Sequence, residues 1–330
     1  MDARSLLQKA DSLQQRHAWL AIPVATAKKF GDDKASFLAA LIAYYAFASV
    51  FPLLLVLVTI LDLVVKNNPD LHKHLLDSAL SQYPVVGAQL ESSVKHGLNQ
   101  TGLALVIGVL LTLYAGLGVA SALQNAINSA WAVPQYRRPR FPWSKLRSLG
   151  VILVLGPGQI ITISLSGIAG GTGHLGGSVS RTFAILVAFL LNVGLFWLGF
   201  RIATASEVRT RDLRLGAILA AVAWQVLQSL GGYFVGHQLR THSAYGIFAV
   251  VLGLLAWFYL EAQIAVFVVE LDVVRARKLW PRTIAPPPLG DADLRAYQLY
   301  ASSTQRRPEL DVQVRAGAYS VERPSPPERQ

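Results

Sequence analysis

The sequence of 330 residues contains no cysteine. Disulfide bonds, thiol nucleophiles, cysteine-ligated zinc and iron–sulfur clusters are therefore excluded. Charged residues are also scarce, because they make up 15% of the chain, against about 25% in a typical soluble protein. Hydrophobic residues account for 53%, and the mean hydropathy is +0.41. Little charge together with abundant apolar residues is typical of a polytopic membrane protein.

Motifs of common catalytic sites are missing as well. The sequence has no HExxH, GxSxG or Walker pattern. Gly171–Gly176 matches GxGxxG, but it joins two apolar segments and not a strand and a helix, so we interpret it as a turn. His72 and His74 are two positions apart and would point to different faces of a helix, and His96 is distant in sequence. We therefore expect no cofactor, no metal site and no enzymatic activity.

Long apolar runs are the main feature that the sequence does contain. Ala35–Leu61 carries no charged side chain. As a helix it is roughly 40 Å long, which exceeds the ~30 Å hydrocarbon core of a bilayer. Five further apolar segments follow, and the predicted transmembrane helices are residues 35–61, 101–123, 149–170, 182–205, 215–236 and 244–271. The predicted fold class is therefore all-α, a polytopic membrane protein with six transmembrane helices in a membrane domain of residues 35–271.

Basic residues are distributed unevenly among the segments between these helices. If the N-terminus lies inside, most of the 30 lysine and arginine residues fall in inside segments. Lysine and arginine are enriched in cytoplasmic loops, so the sequence predicts an N-in/C-in topology. The net charge of +11 is then explained by orientation and by attraction to anionic lipids, and nucleic acid is not an expected partner.

Three polar regions flank or interrupt the membrane domain. Residues 1–34 form an amphipathic cytoplasmic segment with Trp19 as an interface anchor, which either lies on the membrane surface or packs on a cytoplasmic loop. Residues 62–100 have the pattern of an outer helical hairpin. Residues 272–330 are predicted to be a basic, mostly disordered cytoplasmic tail, with a short helix around Ala292–Tyr300 as one alternative.

Polar residues inside the spans are the candidate functional residues. A carboxylate at mid-depth costs about 2.5–3.5 kcal/mol, so it is normally paired, protonated or directed at a cavity. Arg201 and Glu261 lie at similar predicted depth, and we hypothesise that Arg201 pairs with Glu261, or with Glu270 if the helices are offset. The alternative is that both side chains snorkel to the interface. Uncharged candidates, for helix contacts or a substrate path, are Asn192, Gln225, Gln228 and Gln263.

Two stretches resemble a known family. The run DKASFLAALIAYYAFASVFPLLL from Asp33 to Leu55 is similar to the first-helix signature of the YihY/virulence factor BrkB family of bacterial inner-membrane proteins. Its identifying residues are Tyr44, Tyr45, Phe51 and Pro52. Tyr245-Gly246, Trp257-Phe-Tyr259 and Glu270-Leu271 resemble the last span of that family. The resemblance covers about residues 30–282, and one departure is Val268-Val269 where the family often has Gly-Ala before the glutamate.

The resemblance implies a six-helix, multi-pass protein of the bacterial cytoplasmic (inner) membrane whose biochemical activity is poorly defined. Members have carried the label ribonuclease BN, which is generally regarded as misassigned. The present sequence agrees with that view, because it offers no carboxylate cluster to bind metal ions for phosphodiester hydrolysis.

The leading functional hypothesis is transport or flipping of a lipid-like or amphiphilic substrate without ATP hydrolysis. It rests on charge within the spans, on proline and glycine in spans one and three, and on the missing ATPase motif. The alternative is a non-transport protein of envelope integrity, a scaffold whose basic tail recruits partners. A membrane-bound ribonuclease is the least favoured hypothesis. The expected partners are membrane lipids, and the sequence leaves open whether the chain forms a homo-oligomer.

Overall fold

The computed structural model describes residues 11–66, 101–170, 178–238, 246–284, 289–309 and 312. Regular secondary structure within these residues is helical, with no strand. The helices are α1 (Ala18–Asp32), α2 (Ala35–Lys66), α3 (Thr101–Ala130), α4 (Trp143–Gly170), α5 (Ser178–Ala203), α6 (Arg214–Gln238), α7 (Gly246–Ala276) and α8 (Asp291–Ser303). Short 3-10 turns precede α4 and α6, at Gln135–Arg137 and Thr210–Leu213. The predicted all-α fold is therefore confirmed.

Helices α2 to α7 coincide in order and position with the six predicted spans. Four of them contain a segment that is long and apolar enough to cross a membrane, namely Ala35–Val56, Leu105–Ala130, Ile185–Ala203 and Val251–Ala276. A helix satisfies all backbone hydrogen bonds within the segment, which the bilayer core requires. The spanning role of α4 and α6 and the N-in/C-in topology stay predictions. The part of the outer hairpin beyond residue 66, the histidines His72, His74 and His96, and the GxGxxG stretch Gly171–Gly176 lie outside the described residues.

The chain divides into two compact units. Unit 1 comprises Met1–Ala39, Ser121–Gln225 and Ala262–Gln330, and unit 2 comprises Ala40–Ala120 and Val226–Glu261. Small side chains such as Ala25, Ala126 and Ala217 are fully buried in unit 1. Small residues let helix backbones approach closely, and van der Waals packing drives helix association in lipid. The core of unit 1 is accordingly built from close contacts between helices.

In unit 2, a family-signature tyrosine packs directly on a glycine. A Cβ atom added at Gly118 in α3 would lie 2.3 Å from Cδ1 of Tyr45 in α2. The ring of Tyr44 lies against that of Tyr45, with centroids 5.4 Å apart, but Tyr44 itself is exposed. Phe51 is also exposed, and Pro52 lies within α2, which continues through it. Among the four signature residues, Tyr45 therefore has a clear packing role within the unit.

We expect Gly118→Ala to lower the free energy of unfolding by about 1–3 kcal/mol, because the new methyl group overlaps the Tyr45 ring. The matched control is Gly194→Ala in α5, where an added Cβ meets no atom within 4 Å. Alanine has a higher helix propensity than glycine by up to about 1 kcal/mol, so the control should be neutral or stabilising. Thermal unfolding in detergent measures both variants. Equal unfolding temperatures for the two would contradict the packing of Tyr45 on Gly118.

Candidate functional site

A fully buried ion pair joins α1 to the end of α7. Lys29 Nζ lies 2.8 Å from Glu270 Oε2, and neither side chain has any exposed surface. Lys29 also forms an ion pair with Asp33 and donates to the backbone carbonyl of Ala130, at 2.8 Å, at the end of α3. The ammonium group thus donates hydrogen bonds to two acceptors, Asp33 and the Ala130 carbonyl, and forms an ion pair with Glu270 as well. Buried charges cost several kcal/mol each to desolvate unless they are well paired, so these contacts fix α1 against the ends of α3 and α7.

A second group of buried charges joins α1 to α8. The guanidinium of Arg282 has no exposed surface, and it lies 2.7 Å from Asp32 Oδ2 and 2.9 Å from Asp293 Oδ1. Lys28 Nζ lies 3.0 Å from the same oxygen of Asp293. Tyr300 of α8 donates its hydroxyl to Asp32 at 3.2 Å. The two groups are adjacent along α1, and we refer to them together as the charge cluster. Its members are Lys28, Lys29, Asp32, Asp33, Glu270, Arg282 and Asp293.

The environment of the charge cluster keeps Asp293 and Arg282 ionised. Burial alone would raise the pKa of Asp293, but hydrogen bonds from the Thr283 N–H, Lys28 and Arg282 hold it below the usual value. Burial would lower the pKa of Arg282, but its hydrogen bonds to Asp32 and Asp293 raise it instead. Because the folded pKa of Asp293 is depressed, its contribution to stability is present above the pKa of the unfolded state and is lost as pH falls through the folded pKa.

The short helix considered around Ala292–Tyr300 is present as α8, and the charge cluster binds it to α1, whereas disorder in the rest of the tail stays a prediction. Helix α7 runs to Ala276, Leu279 and Arg282 are buried, and α8 extends from Asp291 to Ser303. In the sequence, Arg282 belongs to the basic tail that follows the last predicted span. Two carboxylates neutralise it, and one of them, Asp32, is 250 positions away in sequence. The same contacts show that α1 packs on protein, whereas the membrane-surface placement of Trp19, which is exposed, stays a prediction.

Arg201, Glu261 and Glu270 have partners other than the predicted ones. Arg201 donates from Nη1 to the carbonyl oxygens of Val208, at 3.1 Å, and Ala205, at 3.5 Å. It therefore satisfies carbonyls just beyond the C-terminal end of its own helix, α5. Glu261 accepts a hydrogen bond from the Trp257 indole N–H at 2.7 Å, and Glu270 pairs with Lys29. Lys29 of α1, and not Arg201, is therefore the cation that pairs with Glu270.

The uncharged candidates are distributed over α5, α6 and α7. Asn192 in α5 is almost fully buried, and its Oδ1 accepts no hydrogen bond from a described residue. Gln225 in α6 and Gln263 in α7 are half-buried. Gln228 in α6 is half-buried as well, and roles for the four side chains in helix contacts or in a substrate path stay predictions.

An arginine-lined cleft of about 320 Å³ lies where α6 begins and α7 ends. Its lining residues are Arg211, Asp212, Arg214, Leu215, Asp272, Arg275 and Ala276. Asp272 is 2% exposed, and its Oδ1 accepts a hydrogen bond from the Gly216 backbone N–H at 2.8 Å. No described residue donates to its other oxygen, Oδ2. The cleft therefore combines exposed cations with a buried, half-satisfied carboxylate.

Sequence reasoning did not identify Lys29, Arg282, Asp293 or Asp272 as important. A signal was available, since the pairs Lys28-Lys29 and Asp32-Asp33 recur one helical turn apart. In addition, the acidic Glu270 and Asp272 lie on the same predicted side of the membrane as the basic segment that follows them. Opposite charges placed on one side of a membrane can pair, but the sequence does not show which of them do.

A metal site is not evident in the part of the chain that the structure describes. Within it, no three histidine, aspartate or glutamate side chains lie close enough together to hold an ion. The cationic and carboxylate groups of the charge cluster bind one another instead.

Comparison with known proteins agrees with the resemblance found in the sequence. A family described as virulence factor BrkB matches residues 26–287. The inner membrane protein YhjD of Escherichia coli (strain K12) is 24% identical over 272 residues, which cover 77% of this chain and 80% of that protein. A UPF0761 membrane protein of Pseudomonas paraeruginosa is 28% identical over 280 residues, which cover 80% of this chain and 65% of that protein.

An uncharacterized protein of Dickeya dadantii is 24% identical over 282 residues, which cover 79% of this chain and 84% of that protein. No solved structure matches the chain. The names of these relatives and of the family describe membrane proteins and a virulence factor, and none names a reaction. The apolar helices and the matched region together establish that the chain belongs to the virulence factor BrkB family and is a multi-pass protein of the bacterial inner membrane.

Proposed function

We propose that the protein moves a lipid-like or amphiphilic substrate across the membrane without ATP hydrolysis. The observation that carries this proposal is the environment of Glu261. The residue lies within the apolar segment Val251–Ala276, is half-buried, and has Trp257 as its partner among the described residues. A carboxylate there costs about 2.5–3.5 kcal/mol on insertion scales. Because no described cation lies beside Glu261 to offset this cost, a functional role for its carboxylate is favoured over a structural one.

Glu270 shows what a structural carboxylate in the same helix looks like. It is fully buried and paired with Lys29 at 2.8 Å, so its charge is compensated within the protein. Glu261, nine positions earlier, keeps part of its surface accessible. Glu270 therefore holds helices together, whereas Glu261 is available to the polar headgroup of a substrate.

The proposed mechanism follows from the cost of moving a polar headgroup through hydrocarbon. A headgroup that leaves water loses hydrogen bonds worth several kcal/mol unless the route replaces them. Glu261 supplies acceptor oxygens within an apolar helix, and the Trp257 indole N–H, 2.7 Å away, orients the carboxylate. The apolar part of an amphiphile stays in the bilayer throughout, beside exposed apolar side chains of unit 2 such as Phe248 and Leu252. Such a route needs no nucleotide site.

We expect Glu261→Gln to slow transbilayer movement at least about tenfold, which corresponds to a barrier higher by about 1.4 kcal/mol. Glutamine keeps the shape of the side chain and an acceptor for Trp257, so it removes the charge alone. The assay is the rate at which a fluorescent phospholipid in protein-containing vesicles becomes accessible to an impermeant reductant. Glu207→Gln is the control, because Glu207 is exposed in the turn after α5. Equal rates for Glu261→Gln and the wild type would contradict the proposed role.

The alternative function, a scaffold whose tail recruits partners, needs a truncation that leaves the fold intact. Removing residues 283–330 would delete α8 together with Asp293, a fully buried member of the charge cluster. A truncation that tests recruitment therefore has to begin after residue 309. It then removes proline-rich sequence without disturbing the described contacts of α8.

A further inference from the structure

The cleft at the start of α6 and the end of α7 contains an acceptor that lacks a donor. Asp272 is 2% exposed and lines the cleft, and its Oδ2 has no hydrogen-bond partner among the described residues. A buried carboxylate oxygen without a donor is unfavourable, because the low-dielectric surroundings do not replace the lost hydration. The position of Asp272 on the wall of a cleft indicates that a bound molecule supplies the missing donor.

The backbone around Asp272 holds the carboxylate through its other oxygen. Gly216 donates its N–H to Oδ1, and a Cβ atom at this position would lie 2.3 Å from Oδ2. A side chain at residue 216 would therefore displace the carboxylate. Glycine at this position lets the backbone orient Asp272 through one oxygen, while the second oxygen is buried and has no donor among the described residues.

Two arginines of the cleft are available for an anionic group. The exposed Arg211 lies 3.8 Å from the half-buried Asp212, so the charges of these two residues partly compensate each other. Arg214 and Arg275 are exposed and form no ion pair with a described residue. Guanidinium groups recognise phosphate well because their N–H donors match its oxygens in geometry. The cleft thus has cationic donors near its opening and an anionic acceptor in its wall.

The location of the cleft suits a membrane lipid. Leu215 begins the predicted fifth span, and Asp272 follows the predicted sixth span, so the cleft lies at the predicted cytoplasmic boundary of both. Lipid phosphates occupy this depth. The volume of about 320 Å³ is at the lower end of the roughly 300–1,000 Å³ typical of small-molecule sites, which suits a headgroup and not a whole lipid.

We infer that the cleft binds a headgroup that carries both a phosphate and a primary amine, as in phosphatidylethanolamine of the cytoplasmic leaflet. The phosphate pairs with Arg214 and Arg275, and the ammonium donates a charge-assisted hydrogen bond to Asp272 Oδ2. A phosphate without an amine leaves Oδ2 unpartnered and places two negative charges close together. A choline headgroup has no N–H to donate. The inference goes beyond the proposed function and holds whether or not Glu261 carries a substrate.

The test measures binding of defined lipids to the purified full-length protein in detergent by native mass spectrometry. The lipids are phosphatidylethanolamine, phosphatidylcholine and phosphatidylglycerol with identical acyl chains, and free phosphoethanolamine serves as competitor. The variants are Asp272→Asn, which retains an acceptor for the Gly216 N–H, and the double variant Arg214→Gln/Arg275→Gln at two exposed positions. Glu207→Gln, an exposed acidic residue outside the cleft, is the matched control.

The wild type and Glu207→Gln should bind phosphatidylethanolamine at least about tenfold more tightly than phosphatidylcholine, a ratio that corresponds to one charge-assisted hydrogen bond. Asp272→Asn should abolish this preference, and the arginine double variant should weaken the binding of both lipids. Equal affinities of the wild type for the two lipids would overturn the inference without any variant. A preference for phosphatidylglycerol, or an unchanged preference in Asp272→Asn, would overturn the role of the amine. Displacement of the lipid by equimolar phosphoethanolamine would overturn the assignment to a membrane lipid.

Discussion

Lys29→Met is expected to lower the free energy of unfolding by about 3–5 kcal/mol, because it leaves a buried charge without its partner. Glu270 has no exposed surface, and Lys29 is the cation paired with it. Methionine fills the space of the lysine stem but cannot neutralise Glu270 and cannot donate to Asp33 or to the Ala130 carbonyl. Two acceptors lose their donor and Glu270 loses its cation in one substitution. Equilibrium unfolding in mixed micelles measures the change.

The control for Lys29→Met is Lys145→Met, since Lys145 is exposed and makes a single long hydrogen bond, 3.4 Å, to Ser121. Exposed ion pairs and hydrogen bonds contribute about 0–1 kcal/mol, so the control should be close to neutral. The double variant Lys29→Met/Glu270→Leu should be less destabilised than the sum of the two single variants, because it removes both charges. Additive effects of the two substitutions would contradict direct pairing.

Arg282→Met is the second change for which we expect a large effect, again about 3–5 kcal/mol, because it leaves Asp293 buried and short of a cation. The consequence should be local as well as global. Arg282 links α1 through Asp32 to α8 through Asp293, so its loss should release α8. Hydrogen exchange of the amides in Asp291–Ser303 measures this release directly.

The matched control is Arg277→Met, because Arg277 is exposed, follows α7 and lies outside the charge cluster. It should leave the exchange rates of α8 unchanged. If Arg282→Met also left them unchanged, the contacts of Arg282 would not hold α8 in place. Lys28, which lies 3.0 Å from Asp293, would then be the cation that matters.

The membrane helices were predictable because their signal is local. Ala35–Leu61 is apolar over its whole length, and α2 spans Ala35–Lys66. The predicted second span covers residues 101–123, and its helix is predicted to continue through Gln124, Asn125 and Asn128 to near Trp131. Helix α3 ends at Ala130, which agrees with this prediction. Gln124 donates to Ser148, and Asn128 accepts from the Ala205 N–H and donates to the Ala203 carbonyl, so these side chains stay helical by bonding to neighbouring segments.

The charge cluster was not predictable, because its contacts join residues far apart in sequence. Arg282 and Asp32 are separated by 250 positions, and Lys28 and Asp293 by 265. Composition and spacing show that these residues lie in charged segments. Neither property indicates which residues pair when they are more than 200 positions apart in sequence. The same holds for Asp272, whose neighbour Gly216 is 56 positions away. Arg201 and Glu261 lie at similar predicted depth in the membrane, which suggested that they pair. In the structure, Arg201 instead donates hydrogen bonds to backbone carbonyls just after its own helix.

The most direct test of the account is transbilayer movement by the purified wild-type protein in vesicles without ATP. Vesicles that contain a fluorescent phospholipid and the protein are treated with an impermeant reductant, and protein-free vesicles are the reference. The account predicts that the reductant reaches the lipid of both leaflets, because a route through the protein lets headgroups cross the hydrocarbon core. Reduction of the outer leaflet alone, as in protein-free vesicles, would contradict it.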